Sequence, residues 1–447
     1  MAVTSSDPVP HLKRVLGLWD LVFYGIVLIQ PIAAVGLFGV AQELSHGQMV
    51  TTILIAMLAM MLTAISYGRM AAVHPSAGSA YTYVSRGLNV HIGFLAGWAM
   101  VLDYLVVPVV STIYAALTLT RLVHGVPYWV WVVALTLFVT VLNLAGVRSA
   151  ARSNMILLAG MCIVISWYFF STTRYLAMHG GSHALFSLEP IYNPSAFNLG
   201  AVMTATSFAA LTYIGFDGVT TLAEDVKNPR RNVLVATVLV CAFTGVFSAV
   251  QIYLAARVWP TYNNFPNVET AFLDVCGRAG GPALFQAMAL TLFIACVGSA
   301  LTAQLGAARL LYGMGRDNVL PRRAFGKLNG QGTPVFNILF IALITITGSL
   351  AMNYEHSAEL LNFGAFIAFM GVNLAVIRTF YGVNRSGRVW RDLLVPAGGF
   401  LFCLFIWISL PLLAKAIGAL WLMAGIAYLA VLTKGFRRPP AQLDFAE

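Results

Sequence analysis

Asp103 stands in GWAMVLDYLVVP and Asp217 in YIGFDGVTTLAED, and both stretches are otherwise largely apolar. A carboxylate among hydrocarbon is costly unless it is paired, so an acidic residue in such a place is a functional candidate by default. It can attract a cationic amine, carry a proton, or do both. Glu224 stands next to last in the second stretch, before Asp225, and Tyr104 follows Asp103 with a hydroxyl and an aromatic face for a cation. Each has a plainer reading. Asp217 can cap a half-helix, Asp103 can bond to a neighbouring helix, Tyr104 can be ordinary packing, and Glu224 can pair with Lys227 or Arg230. The chain shows no Walker motif, no metal-spaced histidine cluster and no nucleophile elbow. The Gly-x-Gly in RLLYGMGRDNVLP follows a helix end and lacks a strand. We therefore expect no catalytic residue, no metal and no cofactor, and a protein that is not an enzyme.

The elements that must carry these residues are apolar helices. Of 447 residues, 59% are hydrophobic and only 9% charged, too few charges to cover a soluble protein of this length. The apolar runs approach the length that crosses about 30 Å of hydrocarbon as a helix, and no alternating barrel pattern is present. The expected fold is an all-α polytopic membrane protein with about twelve transmembrane helices. Spans are expected near 16–41, 50–67, 91–120, 128–146, 155–173, 199–223, 233–256, 283–312, 335–352, 359–380, 394–412 and 417–433, with AGSAYTYV (77–84) opening the third. The five cysteines, Cys162, Cys241, Cys276, Cys296 and Cys403, are scattered and read as small core residues.

The net charge of +10 reflects topology and not a nucleic-acid partner. With the N-terminus in the cytoplasm, 21 of the 26 Lys and Arg fall on inner segments; Arg121, Arg174, Arg257, Arg278 and Lys415 fall outside. Both termini are then cytoplasmic, in a plasma (inner) membrane. Residues 1–15 form a polar tail without a signal-peptide pattern, and 434–447 a second tail.

Two spans are interrupted. In LWDLVFYGIVLIQPIAAVGLFG, Pro31 must break or kink the helix near Ile29–Ala33, with Gly25, Gly36 and Gly39 around it. In the sixth span, Gly215-Phe216-Asp217-Gly218 does the same. A single glycine or proline is often only a kink. Two breaks five spans apart, one beside a carboxylate, are the pattern of an inverted-repeat transporter with a site at mid-membrane. Unwound backbone is tolerable there only where protein or a wet cavity satisfies it, so the breaks and the ligand site are expected to coincide.

The stretches TAISYGR (63–69), PSAGSAYTYV (75–84), GFLAGWAMVLDYLVVP (93–108), GFDGVTTLAED (215–225), RLLYGMGRDNVLP (309–321) and LLNFGAFIAF (360–369) resemble the amino acid–polyamine–organocation superfamily, and more closely its putrescine importer branch. The resemblance implies a five-plus-five inverted repeat with broken helices 1 and 6. The first repeat would be 16–177, the second 199–380, and 394–433 would hold two trailing helices. It implies alternating access around a site between spans one, three, six, eight and ten. By motif, the proton-sensing acid falls on Asp217, the important tyrosine on Tyr104, the glutamate after Thr-Thr-Leu on Glu224, and the aromatic gate of amino acid antiporters on Leu211.

Three departures bear on substrate. Amino acid carriers of the superfamily use Gly-Ser-Gly in the first break to hold a carboxylate, where this chain has Ile29-Gln30-Pro31. Proline cannot donate, which favours an amine without a carboxylate. Putrescine importers carry an aspartate where this chain has Gly36, which weakens a two-ended diamine site. The fifth-span lysine of many proton-coupled relatives is absent, with Gly160 or Met161 near its place. The reading is a carrier importing a small organic amine, with protons as coupling ion. Its substrate residues are Ile29, Gln30, Pro31, Ala33, Gly36, Asp103, Tyr104, Leu211, Tyr213, Gly215, Phe216, Asp217 and Gly218; Asp217 and Glu224 handle the proton. The alternatives are an amino acid permease or exchanger, and an amine sensor that does not transport.

Overall fold

The computed structural model describes residues 16–74, 79–145, 151–223, 225–316, 318–330, 332–385 and 387–440, with the backbone alone for 151–157 and 180–185. Glu224, both ends of the chain, 75–78 and Asp317 lie outside the described residues. Among those described there is no strand. An isolated bridge joins Leu16 and Val226, where Leu16 N donates to Asp225 O (3.0 Å) and Lys227 N to Leu16 O (2.9 Å). This ties the entry of the first helix to the exit of the second broken segment.

The first interrupted segment comprises α1 (Leu18–Ile29), a 3-10 turn (Val35–Leu37) and α2 (Phe38–Leu44). Next come α3 (Met49–Val73), α4 (Ser79–Gly87), α5 (Val90–Leu122), α6 (Tyr128–Leu144) and α7 (Ala151–Leu185). The second interrupted segment is α8 (Leu199–Ala209) with 3-10 turns at Ala210–Tyr213 and Phe216–Leu222. It is followed by α9 (Pro229–Val258), α10 (Ala271–Arg316), α11 (Arg322–Phe325), α12 (Val335–Ala351), α13 (Tyr354–Val376), α14 (Val395–Ile408) and α15 (Leu412–Leu432). Gly281, with φ +75°, kinks α10 just before Pro282. Among the described residues, eight helical stretches are long and apolar enough to cross a membrane, and Leu18–Ile29, Val35–Leu44, Tyr128–Leu144 and Val335–Ala351 are shorter apolar helices.

One boundary differs from expectation. Residues 79–84 do not open the third span, because Ser79–Gly87 form the separate helix α4, and 77–78 lie outside the described residues. The chain turns at Asn89, which is extended (φ −158°) and whose side chain accepts from His91 N (2.8 Å) to start α5.

The helices close on one another through small residues. A Cβ at Gly68 would collide with Leu234 on α9, and one at Gly364 with the Ala99 carbonyl of α5. Such close approach supplies van der Waals packing that lipid cannot. α5 thereby sits centrally, against α10 and α13. At one end, Arg69 of α3 is buried against Asp392 in the Trp390–Leu394 turn that leads into α14. Its guanidinium also donates to Arg391 O (2.7 Å) and lies 4.1 Å from the Phe380 ring centroid.

Removing one member of a buried pair strands the other charge, at a cost of about 3–5 kcal/mol. Asp392→Asn should therefore lower the melting temperature of the detergent-purified protein. Arg69→Met combined with Asp392→Leu should lower it less than Asp392→Asn alone, and the reverse order would remove the pair from the account of stability.

Candidate functional site

α1 stops at Ile29 because Pro31 cannot donate and cannot sit within a helix. Gln30 takes φ +70°, a conformation that costs a non-glycine residue on the order of 1–3 kcal/mol and persists only when its surroundings hold it. They do so here. Its amide donates to Ile26 O (2.9 Å), and its side chain reaches Ala295 O on α10 at 3.5 Å. The Pro31 carbonyl accepts from Gln251 Nε2 of α9 (3.1 Å). The amides of Ala33 and Val35 are taken by the carbonyls of Gln30 (3.1 Å) and Ile32 (3.0 Å).

The second break turns at Gly215, whose φ of +109° suits glycine alone among common residues. A Cβ there would lie 3.6 Å from Leu28 and 3.7 Å from Ile29, and one at Gly218 would run into Leu28. The two breaks are thus in contact. Asp217 sits in the first turn of Phe216–Leu222, its carboxylate beside the backbone amides of Asp217 and Gly218. Amide ends of helices favour a negative charge. Capping and ligand attraction are therefore compatible roles for this one carboxylate.

Around Asp217 the fold gathers Asp103, Tyr24, Tyr67, Tyr83 and Tyr104, all within electrostatic reach of it. Tyr24 lies beside Thr221, and Tyr83 beside Thr220. Asp103 is 7% exposed, and its Oδ1 has no hydrogen-bond partner. Neither aspartate joins an ion pair among the described residues. Tyr104 is near the middle of the 33-residue α5 and yet 39% exposed. Asp217, beside it, is half-buried.

Beyond the first break the structure is closed. Gly36 is buried against Tyr114 and Tyr354: a Cβ there would stand 3.2 Å from Tyr114 Cζ and 3.3 Å from the Tyr354 hydroxyl oxygen. These two rings lie 5.0 Å apart, centroid to centroid, and Phe208 meets Tyr354 edge-on at 6.1 Å. All three are buried, and an aspartate at position 36 would have to displace the tyrosines.

The structure thus brings Asp103, Tyr104, Gly215, Asp217 and Gly218 together, with Ile29 alongside. Gln30 and Pro31 serve the broken backbone, and Ala33 is half-buried beside them. Gly36 belongs to the closed end. Tyr213 is turned away: it is buried, and its hydroxyl donates to Ile53 O on α3 (2.8 Å). Phe216 packs on Tyr67 and Phe369, with centroids at 5.4 and 5.2 Å. Leu211 is half-buried against the apolar core. Glu224 is outside the described residues. Sequence reasoning missed Tyr24, Tyr67 and Tyr83, although Tyr67 and Tyr83 stand inside stretches that carried the resemblance. It also missed Glu359 on α13, which is fully buried with both carboxylate oxygens unpartnered.

Two interrupted helices meeting around unpaired carboxylates, in a bundle of membrane-length helices, define a membrane transport protein of the broken-helix kind. The comparisons agree. The family model for amino acid permeases matches residues 20–435, and the chain belongs to that family. It is 31% identical to the low-affinity putrescine importer PlaP of Escherichia coli (strain K12), over 99% of this chain and 98% of that one. It is 27% identical to the branched-chain amino acid permease BcaP of Lactococcus lactis subsp. cremoris (94% and 95% covered). To the vacuolar cationic amino acid transporter 4 of Arabidopsis thaliana it is 28% identical (82% and 64% covered). The chain is an integral membrane transporter and not an enzyme.

The open and closed ends make different predictions for labelling. In a Cys162→Ser background, which removes the exposed native thiol, Tyr104→Cys should react with a water-soluble maleimide about tenfold faster or more than Tyr114→Cys. Equal rates by mass spectrometry would contradict the closed arrangement around Gly36.

Proposed function

We propose that this chain is a secondary carrier that imports a small organic amine of the putrescine type, driven by protons. The observation that carries the reading is the pair Asp103 and Asp217, which lie within electrostatic reach of each other beside the exposed Tyr104 and form no ion pair among the described residues. A carboxylate so placed either holds a proton or awaits a cation, because an unpaired buried charge is expensive. An ammonium group would sit between the two carboxylates, with the tyrosine hydroxyls as acceptors and the Tyr104 ring as a cation face. Pro31 has no amide to donate and the Gln30, Ala33 and Val35 amides are engaged, which leaves fewer donors for a substrate carboxylate and supports an amine. Protons would be carried by Asp217, with Glu224 at the exit of the same segment, since no lysine stands in the fifth span.

The architecture in this reading has twelve spans. The segment formed by α1 and α2 is span one and that formed by α8 with its turns is span six. These head two inverted five-span repeats, 16–177 and 199–380, followed by α14 and α15 in 394–433. Both termini face the cytoplasm, as the basic residues favour. Under this orientation Tyr104 lies on the inner side of the Tyr114–Tyr354 contact, which closes the outer side.

A second reading, an amino acid permease or exchanger, draws on one observation. Position 36 holds a glycine packed between tyrosines, so it offers no second carboxylate for a diamine. The two separate in proteoliposomes that carry an inward proton gradient. Gradient-stimulated uptake of labelled putrescine, reduced about a hundredfold by Asp217→Asn, is the expected result. Exchange or block by one amino acid, with no putrescine uptake, would establish the second reading instead. Substrate binding without any flux would indicate a sensor.

A further inference from the structure

We propose that Glu269 is a positioning residue of the carrier: its carboxylate latches the start of α13 and so keeps Gly36 seated on Tyr114 and Tyr354. This goes beyond the choice of substrate and rests on the carrier reading alone.

The first amides of a helix have no partner within it. At the start of α13 the His356 amide donates to the Asn353 side chain (2.8 Å). The Tyr354 amide donates instead to Glu269 Oε1 (3.3 Å), which comes from the segment that leads into α10. A carboxylate suits that place, since the amide end of a helix favours negative charge. Glu269 is itself held in position. Asn267 Oδ1 accepts from both Thr270 N (3.0 Å) and Thr270 Oγ1 (2.9 Å), which closes the turn around it.

The two sides of this bond belong to different parts of the bundle. Residues 259–270 are fastened to the first interrupted segment and the turn after it. Phe265 meets Phe38 edge-on at 5.6 Å, Tyr262 stacks on His46 at 5.8 Å, and a Cβ at Gly39 would collide with the Val268 carbonyl. On the other side α13 leans on α5, where Gly364 meets the Ala99 carbonyl, and the Tyr354 ring lies against Tyr114 of α5. Gly36 sits on those two rings at the seam between the parts. The bond from Tyr354 N to Glu269 crosses the same seam. Close apolar packing keeps each part intact, whereas a single hydrogen bond is readily exchanged for water. Withdrawing the first segment from the rings therefore lengthens this bond, and the bond sets how often that happens.

The test measures distances between spin labels at Asn264→Cys and Ala351→Cys, exposed positions on either side of the seam, in the full-length Cys162→Ser carrier in lipid. Glu269→Met removes the acceptor and should raise a longer-distance component about fivefold. Glu269→Gln keeps an acceptor oxygen and should raise it far less. Glu269→Asp, one methylene shorter, takes the place of Glu269→Met should the latter not give a monodisperse protein. Distances indifferent to the loss of the acceptor, with only the melting temperature lowered, would reduce Glu269 to a helix cap and overturn the latch. An equal rise from Glu269→Gln would overturn it too. Flux in proteoliposomes reports separately on the carrier reading. A longer-distance component without flux of any amine or amino acid would sink that reading and keep the latch; flux with distances indifferent to Glu269 would do the opposite.

Discussion

An unwound backbone inside an apolar bundle has to find its hydrogen bonds within the protein, and that requirement organises this structure. Pro31 opens the first break, and its carbonyl is met by Gln251 from α9. Gln30 keeps its left-handed conformation because its amide and side chain are both engaged. The second break is narrow enough to lie against the first only because Gly215 and Gly218 lack side chains where Leu28 passes. Once the breaks touch, the amide end of Phe216–Leu222 is fixed near the middle of α5. Asp217 and Asp103 then face the same space. The position of the carboxylates is thus a consequence of how the broken backbone is satisfied.

The same geometry is asymmetric along the bundle. Tyr104 is exposed, while Tyr114, Tyr354 and Phe208 fill the region beyond Gly36. A carrier needs two states that differ in which end is sealed, and packed aromatic rings make a discrete seal where a continuous deformation would not. The small residues between α3 and α9 and between α5 and α13 let these helices meet at backbone distance. Rigid contacts of that kind transmit a movement of one helix to its neighbour. The Leu16–Val226 bridge adds a link between the start of the first interrupted segment and the end of the second.

Much of this was legible in the sequence, and the remainder was hidden for identifiable reasons. Pro31 and Gly-Phe-Asp-Gly stand out because proline and glycine contradict the apolar helical pattern around them. Asp103 and Asp217 stand out because charge does. Tyr24, Tyr67 and Tyr83 carry no such contrast, since tyrosine is common in membrane helices, and only the fold reveals that they surround one carboxylate. Tyr213 failed in the other direction. It is close to the break in sequence, but a 3-10 turn gives no simple periodicity from which to read its facing, and it points to Ile53. Glu359 was overlooked because it stands at the edge of an apolar run, where an acid reads as a loop residue. In the fold α13 begins five residues earlier, at Tyr354, and Glu359 is interior. Asn89 was a visible cap, and weighing it would have separated α4 from α5.

The unpaired carboxylates also constrain the kind of ligand. A zwitterion brings a negative charge with its ammonium and needs donors of its own, and in the first break Pro31 has none while the Gln30, Ala33 and Val35 amides are engaged. A simple amine makes no such demand. Its cost is the loss of hydration around the ammonium, and two carboxylates with several hydroxyls can replace that hydration without reorganising. On the proposed amine reading, the first break would discriminate by what it withholds, and the second by what it offers. A change that freed donors in the first break would move the preference toward amino acids with Asp217 untouched, since the two halves of the site act on opposite ends of a substrate.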